Sequence, residues 1–236
     1  MDGAGEPGDE GVMDGPGDLS DDALGLWNAA RALNAAALPR DGGPVSLPPL
    51  LFFTDPARTP RPWETAACLP TGAAVVYRHF GAADAAGTAR RLRDVTGQGG
   101  VLLLVGLDVD LAEGVGADGV HLPERALDRA GALRRRWPDG LLTGAVHSAA
   151  GAASAPVELD ALVLSPIFPA GGASGGKAAL GVAAFEQAVG RASRPVYALG
   201  GVNLLTVDRL ADTGACGIAG VDAFQRAFSG RADPRT

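Results

Sequence analysis

Short apolar runs alternate with Ala-rich amphipathic stretches along most of the chain, and this alternation is the strongest signal in the sequence. The apolar runs are rich in Leu, Val and Ile and are bounded by Gly, Pro or Asp, a pattern typical of buried strands. It predicts eight strands, at residues 50–55, 73–79, 101–106, 119–122, 141–147, 161–168, 196–201 and 217–222. The stretches between them predict helices, of which the clearest lie at 84–95, 125–137, 182–191, 204–213 and 223–228.

Eight strands that are each followed by a helix predict a parallel sheet with right-handed crossover connections. We therefore predict one α/β domain, a (β/α)8 TIM barrel over residues 46–230, which at about 185 residues is compact for this fold. An open, doubly wound sheet is the alternative, because alternation alone does not show that the sheet closes. The number of units favours the barrel, whose functional residues are expected at the carboxyl ends of the strands.

A further helix is predicted ahead of the barrel, in a segment of residues 19–45 that ends in a Gly- and Pro-rich linker. Ser20 has the side chain of a helix N-cap, and two aspartates follow it at the positive end of the helix. Leu24, Trp27 and Leu33 then recur at helical spacing. This apolar stripe is expected to dock on the barrel or on a second subunit.

Acidic residues are concentrated at one end of the chain. The formal net charge is -7, from 27 acidic and 20 basic residues, and eight of the acidic residues but no basic one lie within residues 1–22. The rest of the chain is therefore close to neutral and gives no indication of a nucleic-acid partner. Residues 1–18 are rich in Gly and Pro and poor in large apolar side chains, which predicts a disordered acidic tail. Residues 231–236 are predicted to form a C-terminal tail.

Apolar runs and cysteines exclude further classes of protein. No run approaches the ~18 apolar residues of a membrane-spanning helix, and no basic and apolar leader typical of a signal peptide opens the sequence. The cysteines, Cys68 and Cys216, lack the spacing of metal ligands, which excludes a cysteine zinc site and a disulfide scaffold. These features predict a cytoplasmic protein with no membrane partner.

Most of the residues suited to chemistry lie at or just beyond the carboxyl ends of predicted strands. In a parallel barrel such positions converge on one rim. They are Asp55, Arg78, His79, Asp108, His121, His147, Ser165, Gly200, Gly201 and Asp222. Cationic side chains, imidazoles and flexible glycine backbone on one rim suit a small anionic substrate.

Seven short segments around these strands follow one another in a specific order and spacing. They are LFFTD (51–55), VYRH (76–79), GADGVHL (116–122), VHS (146–148), SPIFP (165–169), ALGGV (198–202) and GACGIA (214–219). Together, over about residues 49–228, they resemble the superfamily of thiamine-phosphate synthase and the TenI-like thiazole tautomerase. The resemblance implies a TIM barrel that takes small phosphorylated heteroaromatic substrates. Synthases of this family use Mg²⁺ and join hydroxymethylpyrimidine diphosphate to thiazole phosphate, releasing diphosphate.

The resemblance also implies roles for individual residues. Arg78 falls on the diphosphate side of the site, and His147 falls on the histidine that transfers a proton in the tautomerase branch. An imidazole titrates near neutrality and can exchange a proton without a metal. Contacts with substrate or phosphate fall on His79, Ser174, Lys177, Gly200, Gly201, Val221 and Asp222.

The chain departs from the family pattern at the metal and diphosphate positions. The two magnesium-binding aspartates of the family fall on Leu107 and Ala126, and a diphosphate-binding lysine falls on Phe80. Asp108 is the candidate metal ligand that is left, although with Asp110 it also suits the start of a helix. The sequence therefore predicts weak binding of Mg²⁺, because a hard cation needs more than one such ligand.

Three hypotheses stay open at this point. The first is a divergent thiamine-phosphate synthase that uses Arg78, Lys177 and relocated acidic residues. The second is a metal-independent tautomerase that acts on a thiazole phosphate through His147. The third is a non-catalytic barrel that binds a ligand of the thiamine pathway, or a protein partner through its N-terminal helix. Each of them is compatible with a homo-oligomer.

Overall fold

The computed structural model describes residues 19–37, 47–170, 176 and 178–229. Its strands are β1 (Leu50–Phe53), β2 (Ala74–Tyr77), β3 (Leu102–Gly106), β4 (Gly119–Leu122), β5 (Leu141–Val146), β6 (Ala161–Leu164), β7 (Val196–Leu199) and β8 (Gly217–Gly220). Each strand pairs in parallel with the next, and β8 pairs with β1, which closes the sheet. This confirms the (β/α)8 barrel and rules out the open sheet. The predicted tails and most of the linker lie outside the described residues.

Helices follow most of the strands. The α-helices of the described residues are α1 (Asp21–Ala36), α2 (Pro62–Ala67), α3 (Ala85–Gly99), α4 (Val109–Gly114), α5 (Ala130–Arg136), α6 (Ala149–Ala153), α7 (Val182–Arg191) and α8 (Asp222–Ala227). Short 3₁₀ segments occupy Glu124–Arg129, ahead of α5, and Val207–Leu210, between β7 and β8. No helix in the described ranges is both long enough and apolar enough to cross a membrane.

The helix predicted at 204–213 is wrong beyond the single 3₁₀ turn that the structure forms there. The side chain of Asn203 accepts a hydrogen bond from the N–H of Leu205 (2.8 Å). The hydroxyl of Thr206 in turn accepts one from the N–H of Asn203 (3.0 Å). Such local bonds between side chain and backbone compete with the hydrogen bonds of an α-helix.

Strand residues alternate between two apolar clusters. In β1, Leu51 and Phe53 belong to the cluster inside the barrel, together with Tyr197 of β7. Leu50 and Phe52 belong to the larger cluster between the barrel and its helices. This period of two fills the barrel and covers its outer surface with the same strands. At the carboxyl ends of the strands the packing gives way to an open cavity.

Helix α1 packs beside β8, and its N-terminus is capped as predicted. The hydroxyl of Ser20 accepts a hydrogen bond from the N–H of Ala23 (3.1 Å). The buried residues of α1 are Ala23, Leu26, Ala30 and Leu33. Leu24, the first residue of the predicted stripe, is instead 47% exposed, so that part of the prediction is wrong. Ala23, the residue before it, is fully buried instead.

Candidate active site

A cavity of about 1000 Å³ opens at the carboxyl ends of the strands. Its lining includes Arg78, His79, Asp108 and His147, so the structure brings four of the predicted site residues together. His121 and Ser165 contribute further polar groups to it. Phe53, Leu107, Ala145, Val163 and Leu199 supply apolar surface. A concave site with a few converging polar groups on an apolar lining is typical of small-molecule binding.

Arg78 follows β2 and is a largely buried cation of this cavity. Its Nε donates to the carbonyl of Thr54 (2.8 Å), and its backbone N–H donates to the hydroxyl of the same residue (2.9 Å). A Cβ at Gly106 would lie 3.2 Å from Cγ of Arg78, so glycine leaves room for the side chain. Burial lowers the pKa of Arg78 to about 10, with Arg58 acting in the same direction and Asp55 against it. The guanidinium is therefore charged at neutral pH.

His147 follows β5 and has one ring nitrogen fixed by the backbone. Nδ1 donates to the carbonyl of Ser165 (2.8 Å), so Nε2 carries the lone pair in the neutral ring. The N–H of His147 itself donates to Oε1 of Glu124 (3.2 Å). An imidazole that is oriented by a carbonyl and lines a cavity has the form required of a general base.

His121 lies in β4 at the base of the cavity and is only 5% exposed. Its Nδ1 lies 2.9 Å from the hydroxyl of Thr143, and its ring makes an edge contact with Phe53. Burial lowers the pKa of His121 to about 3, and the charge of Arg78 adds to the effect. The ring is therefore neutral at physiological pH. The structure thus shows a buried histidine with a hydrogen-bond partner, and it also places this ring against the cavity.

His79 and Asp108 join two loops at the mouth of the cavity. Nδ1 of His79 accepts a hydrogen bond from the N–H of Gly81 (3.1 Å), which puts the proton of the neutral ring on Nε2. This Nε2 lies 3.4 Å from Oδ2 of Asp108. Both nitrogens of His79 thus have partners, and the pair links the loop after β2 to the loop after β3.

The residues after β3 and β4 do not fit a magnesium ion. Asp108 caps α4, where its Oδ1 accepts from the N–H of Leu111 (3.0 Å), and Oδ2 faces His79. Asp110 is exposed and pairs with Arg136 (2.9 Å). No group of three or more His, Cys, Asp or Glu side chains within the described residues could hold a metal ion. One carboxylate that already has two partners is a poor donor set for a hard cation.

Gly200 and Gly201 follow β7, where both have positive φ angles (97° and 67°). A Cβ at Gly200 would lie 2.7 Å from Cα of Pro166, and one at Gly201 would lie 2.5 Å from the carbonyl oxygen of Pro169. The loop after β6 therefore requires glycine at both positions, independently of any ligand. Neither residue lines the cavity described above, and their role in phosphate binding stays a prediction.

Asp222 begins α8 and has a cationic partner that sequence reasoning missed. Arg58, in the loop after β1, donates from Nε to Oδ1 of Asp222 (2.8 Å), and its Nη2 contacts Oδ2. This pairing offsets a negative charge that would repel a phosphate. Val221 is half-buried directly ahead of α8. Ser174 and Lys177, the other predicted phosphate contacts, lie outside the described residues.

Phe80, Glu124 and Arg125 are among the residues that line the cavity without having been predicted as site residues. Each lies two or three residues after a strand, so its position in the sequence could have identified it as a candidate. Arg58 lies further along its loop and gave no comparable signal, because periodicity does not show where a long loop side chain points.

One protein family and two relatives that match this chain have closely related names. A family model described as thiamine monophosphate synthase matches residues 52–224. A thiamine-phosphate synthase of Methanoculleus marisnigri is 37% identical over 134 residues, covering 56% of this chain and 63% of that protein. A thiamine-phosphate synthase of Laribacter hongkongensis is 34% identical, over 62% of this chain and 67% of that protein. The first match thus spans less than two thirds of the relative's length.

Solved structures support the same architecture. Thiamine phosphate pyrophosphorylase from Pyrococcus furiosus superimposes with a TM-score of 0.65 at 24% identity, over 78% of this chain and 93% of that one. At this level of identity the likeness supports the fold alone. The family model carries more weight, because it matches more than half of the chain and runs from β1 into α8. The chain therefore belongs to the thiamine monophosphate synthase family.

Proposed function

We propose that this chain is a transferase that joins hydroxymethylpyrimidine diphosphate to thiazole phosphate. In this reaction a C–N bond forms between the pyrimidine methylene carbon and the thiazole nitrogen. The C–O bond to diphosphate breaks, and diphosphate leaves with the electron pair. The family match supports the reaction, and the cavity at the carboxyl ends of the strands supports its location.

The position of Arg78 in the cavity, with donors free for a ligand, is the observation that most supports the proposal. Two donors of Arg78, Nε and the backbone N–H, have hydrogen-bond partners among the described residues. Nη1 and Nη2 are therefore available to a ligand in the cavity. A fixed cation that is already held in place stabilises negative charge as it develops on the departing diphosphate. Thr54 and Gly106 position Arg78 before any ligand arrives.

The thiazole phosphate is proposed to bind beyond the carboxyl ends of β7 and β8. In this proposal Gly200 and Gly201 supply backbone N–H groups, and Val221 and Asp222 contribute from the start of α8. Ser174 and Lys177 complete this part of the proposal from the loop after β6. Arg58 supports it, because it offsets the charge of Asp222 next to the expected phosphate.

The described residues give little support for a magnesium ion in this proposal. The family's reaction uses Mg²⁺, whereas the described residues offer Asp108 alone, already engaged with Leu111 and His79. We expect calorimetric titration of the free protein with Mg²⁺ to show no tight binding. Tight binding that is lost in Asp108→Ala would show that the loop after β3 rearranges to ligate the ion.

The test of the transferase is direct. The full-length protein is incubated with both substrates, with and without Mg²⁺, and formation of thiamine phosphate is followed by chromatography. We expect turnover in the wild type and a fall in kcat/KM of at least 100-fold in Arg78→Met. Arg31→Met changes an exposed arginine of α1 and should stay within two-fold. Absence of product under all of these conditions would refute the transferase.

A second candidate function, tautomerisation of thiazole phosphate, is favoured by the geometry of His147. The ring is oriented by the carbonyl of Ser165 and keeps Nε2 as a proton acceptor. His147→Ala should abolish isomerisation and leave ligand affinity within a few-fold, because a proton shuttle acts mainly in the transition state. Full turnover in that variant would make the imidazole structural and remove this candidate.

A further inference from the structure

Phe80 is an aromatic side chain held at the mouth of the cavity in an unusual backbone conformation. It lines the cavity and is 70% exposed, although most large apolar side chains of the described residues are buried. Its φ of 46° lies in the left-handed region, which is strained for a residue other than glycine. Strain of this kind concentrates at ligand clamps and active sites. The position therefore points to a role beyond packing.

The ring of Phe80 forms one side of the environment of Arg78. Cζ of Arg78 lies 5.3 Å from the centroid of Phe80 and 5.1 Å from that of Phe53. Phe53 is buried, whereas Phe80 keeps most of its surface open to the cavity and the solvent. A ligand whose anionic group reaches Arg78 thus meets an uncovered aromatic surface at the same place.

Charge on the cavity lining does not favour a ligand recognised by phosphoryl groups alone. Among the described residues, the basic residues of the lining are Arg78 and Arg125, and the acidic ones are Asp108 and Glu124. These formal charges cancel, and His121 stays neutral because burial lowers its pKa to about 3. A polyphosphate would have little net attraction to such a lining, so a ring must supply much of the recognition.

We propose that Phe80 is a specificity-determining residue, whose open ring stacks on the planar heteroaromatic ring of a phosphorylated ligand while Arg78 binds an anionic group. Stacking of a base on an aromatic side chain adds to the affinity of a complex and tolerates different bases, because every base has a π-face. This inference rests on the proposed function for the class of ligand. It adds that binding at this rim depends on the ring more than on phosphoryl charge.

The test compares a ligand that has rings with one that has none. Dissociation constants of hydroxymethylpyrimidine diphosphate and of inorganic diphosphate are measured by calorimetry on the full-length protein. We expect Phe80→Ala to weaken binding of hydroxymethylpyrimidine diphosphate at least five-fold and to change that of diphosphate by less than two-fold. Phe80→Leu should bind as weakly as Phe80→Ala, whereas Phe80→Trp should bind about as tightly as the wild type. Leu205→Ala, at a 91% exposed position outside the cavity lining, is the matched control and should change neither.

The outcomes separate this inference from the transferase proposal. It is overturned if wild-type protein does not bind hydroxymethylpyrimidine diphosphate, if Phe80→Ala binds it normally, or if that variant loses affinity for both ligands equally. Ring-dependent binding without turnover would support Phe80 and refute the transferase. Turnover that is the same whether or not residue 80 is aromatic would support the transferase and refute the role of Phe80.

Discussion

Two imidazoles in one cavity have different environments, and these give them different chemistry. His147 is half-buried and donates from Nδ1 to a carbonyl, so its Nε2 can accept a proton. His121 is buried beside Thr143 and near Arg78, where protonation is unfavourable. Groups of the same type that are placed in different environments can take separate roles. In this cavity His147 suits proton transfer, whereas His121 suits neutral hydrogen bonding.

The pKa of His121 predicts a loss of stability in acid. It is about 3 in the folded chain against 6.5 for an ordinary histidine, so between these values only the unfolded chain binds the proton. The contribution of His121 is therefore complete above pH 6.5 and is lost progressively as pH falls. In urea titrations at pH 8 and pH 5, wild type should lose roughly 2 kcal/mol more than His121→Asn. Equal losses in the two proteins would contradict a buried neutral ring.

The Arg58–Asp222 pair makes a second prediction at the scale of residues. Arg58→Met removes the cation and leaves an uncompensated carboxylate near the expected phosphate site. Affinity for thiamine phosphate should fall by several-fold, and Asp222→Asn in the same background should restore it. Arg61→Met, in the same loop but paired with Glu64, is the control. If the double variant binds as weakly as Arg58→Met, electrostatic compensation is not the reason.

Most of the site could be predicted from the sequence, because the ends of buried strands can be recognised in it. Arg78, Asp108 and His147 directly follow buried runs, and closure of the barrel brings them to one cavity. Asp108 as a helix cap was also readable, from its position ahead of α4. The orientation of the Phe80 ring and the partner of Asp222 were not readable, because loop conformation and long-range pairing leave no periodic pattern.

At the scale of elements, all eight strands were predicted and the helices were predicted less well. Strands in this barrel are buried on both sides, so most of them are continuous apolar runs with clear ends. The residues after β7 have helical composition, yet Asn203 and Thr206 bind their own backbone and leave only one 3₁₀ turn. The short helices α2 and α6 were missed because one or two turns show no clear period.

The turn after β7 packs closely against the loop after β6. Gly201→Ala adds a Cβ that would lie 2.5 Å from the carbonyl oxygen of Pro169, at a φ of 67°. Gly116→Ala is the matched control, with a φ of 63° and no atom within 4 Å of the added Cβ. Both variants should lose about 1–2 kcal/mol from backbone strain. Gly201→Ala should lose clearly more in thermal or urea unfolding, and equal losses would show that the contact relaxes freely.

At the scale of the whole molecule, the two ends of the barrel have different tasks. The carboxyl end carries the cavity with its strained Phe80 and Leu107, both at positive φ. Near the amino end, Asn34 of α1 donates to the carbonyl oxygens of Leu47 and Cys216, which lie just ahead of β1 and β8. Barrels of this fold generally place function at the first end and stability at the second.

Helix α1 is therefore expected to be part of the folded domain. Its buried side chains include Leu26 and Leu33, and burial of a leucine stabilises by about 1.5–3 kcal/mol. Deletion of residues 1–37 should lower the melting temperature by at least 5 °C or cause aggregation, since it uncovers apolar surface beside β8. Deletion of residues 1–18 alone, a segment whose composition predicts little burial, should change it by less than about 2 °C. Differential scanning calorimetry of both deletions decides the matter: a soluble, equally stable 1–37 deletion would show that α1 is dispensable, and a large loss on removing 1–18 would show that the acidic segment packs against the barrel.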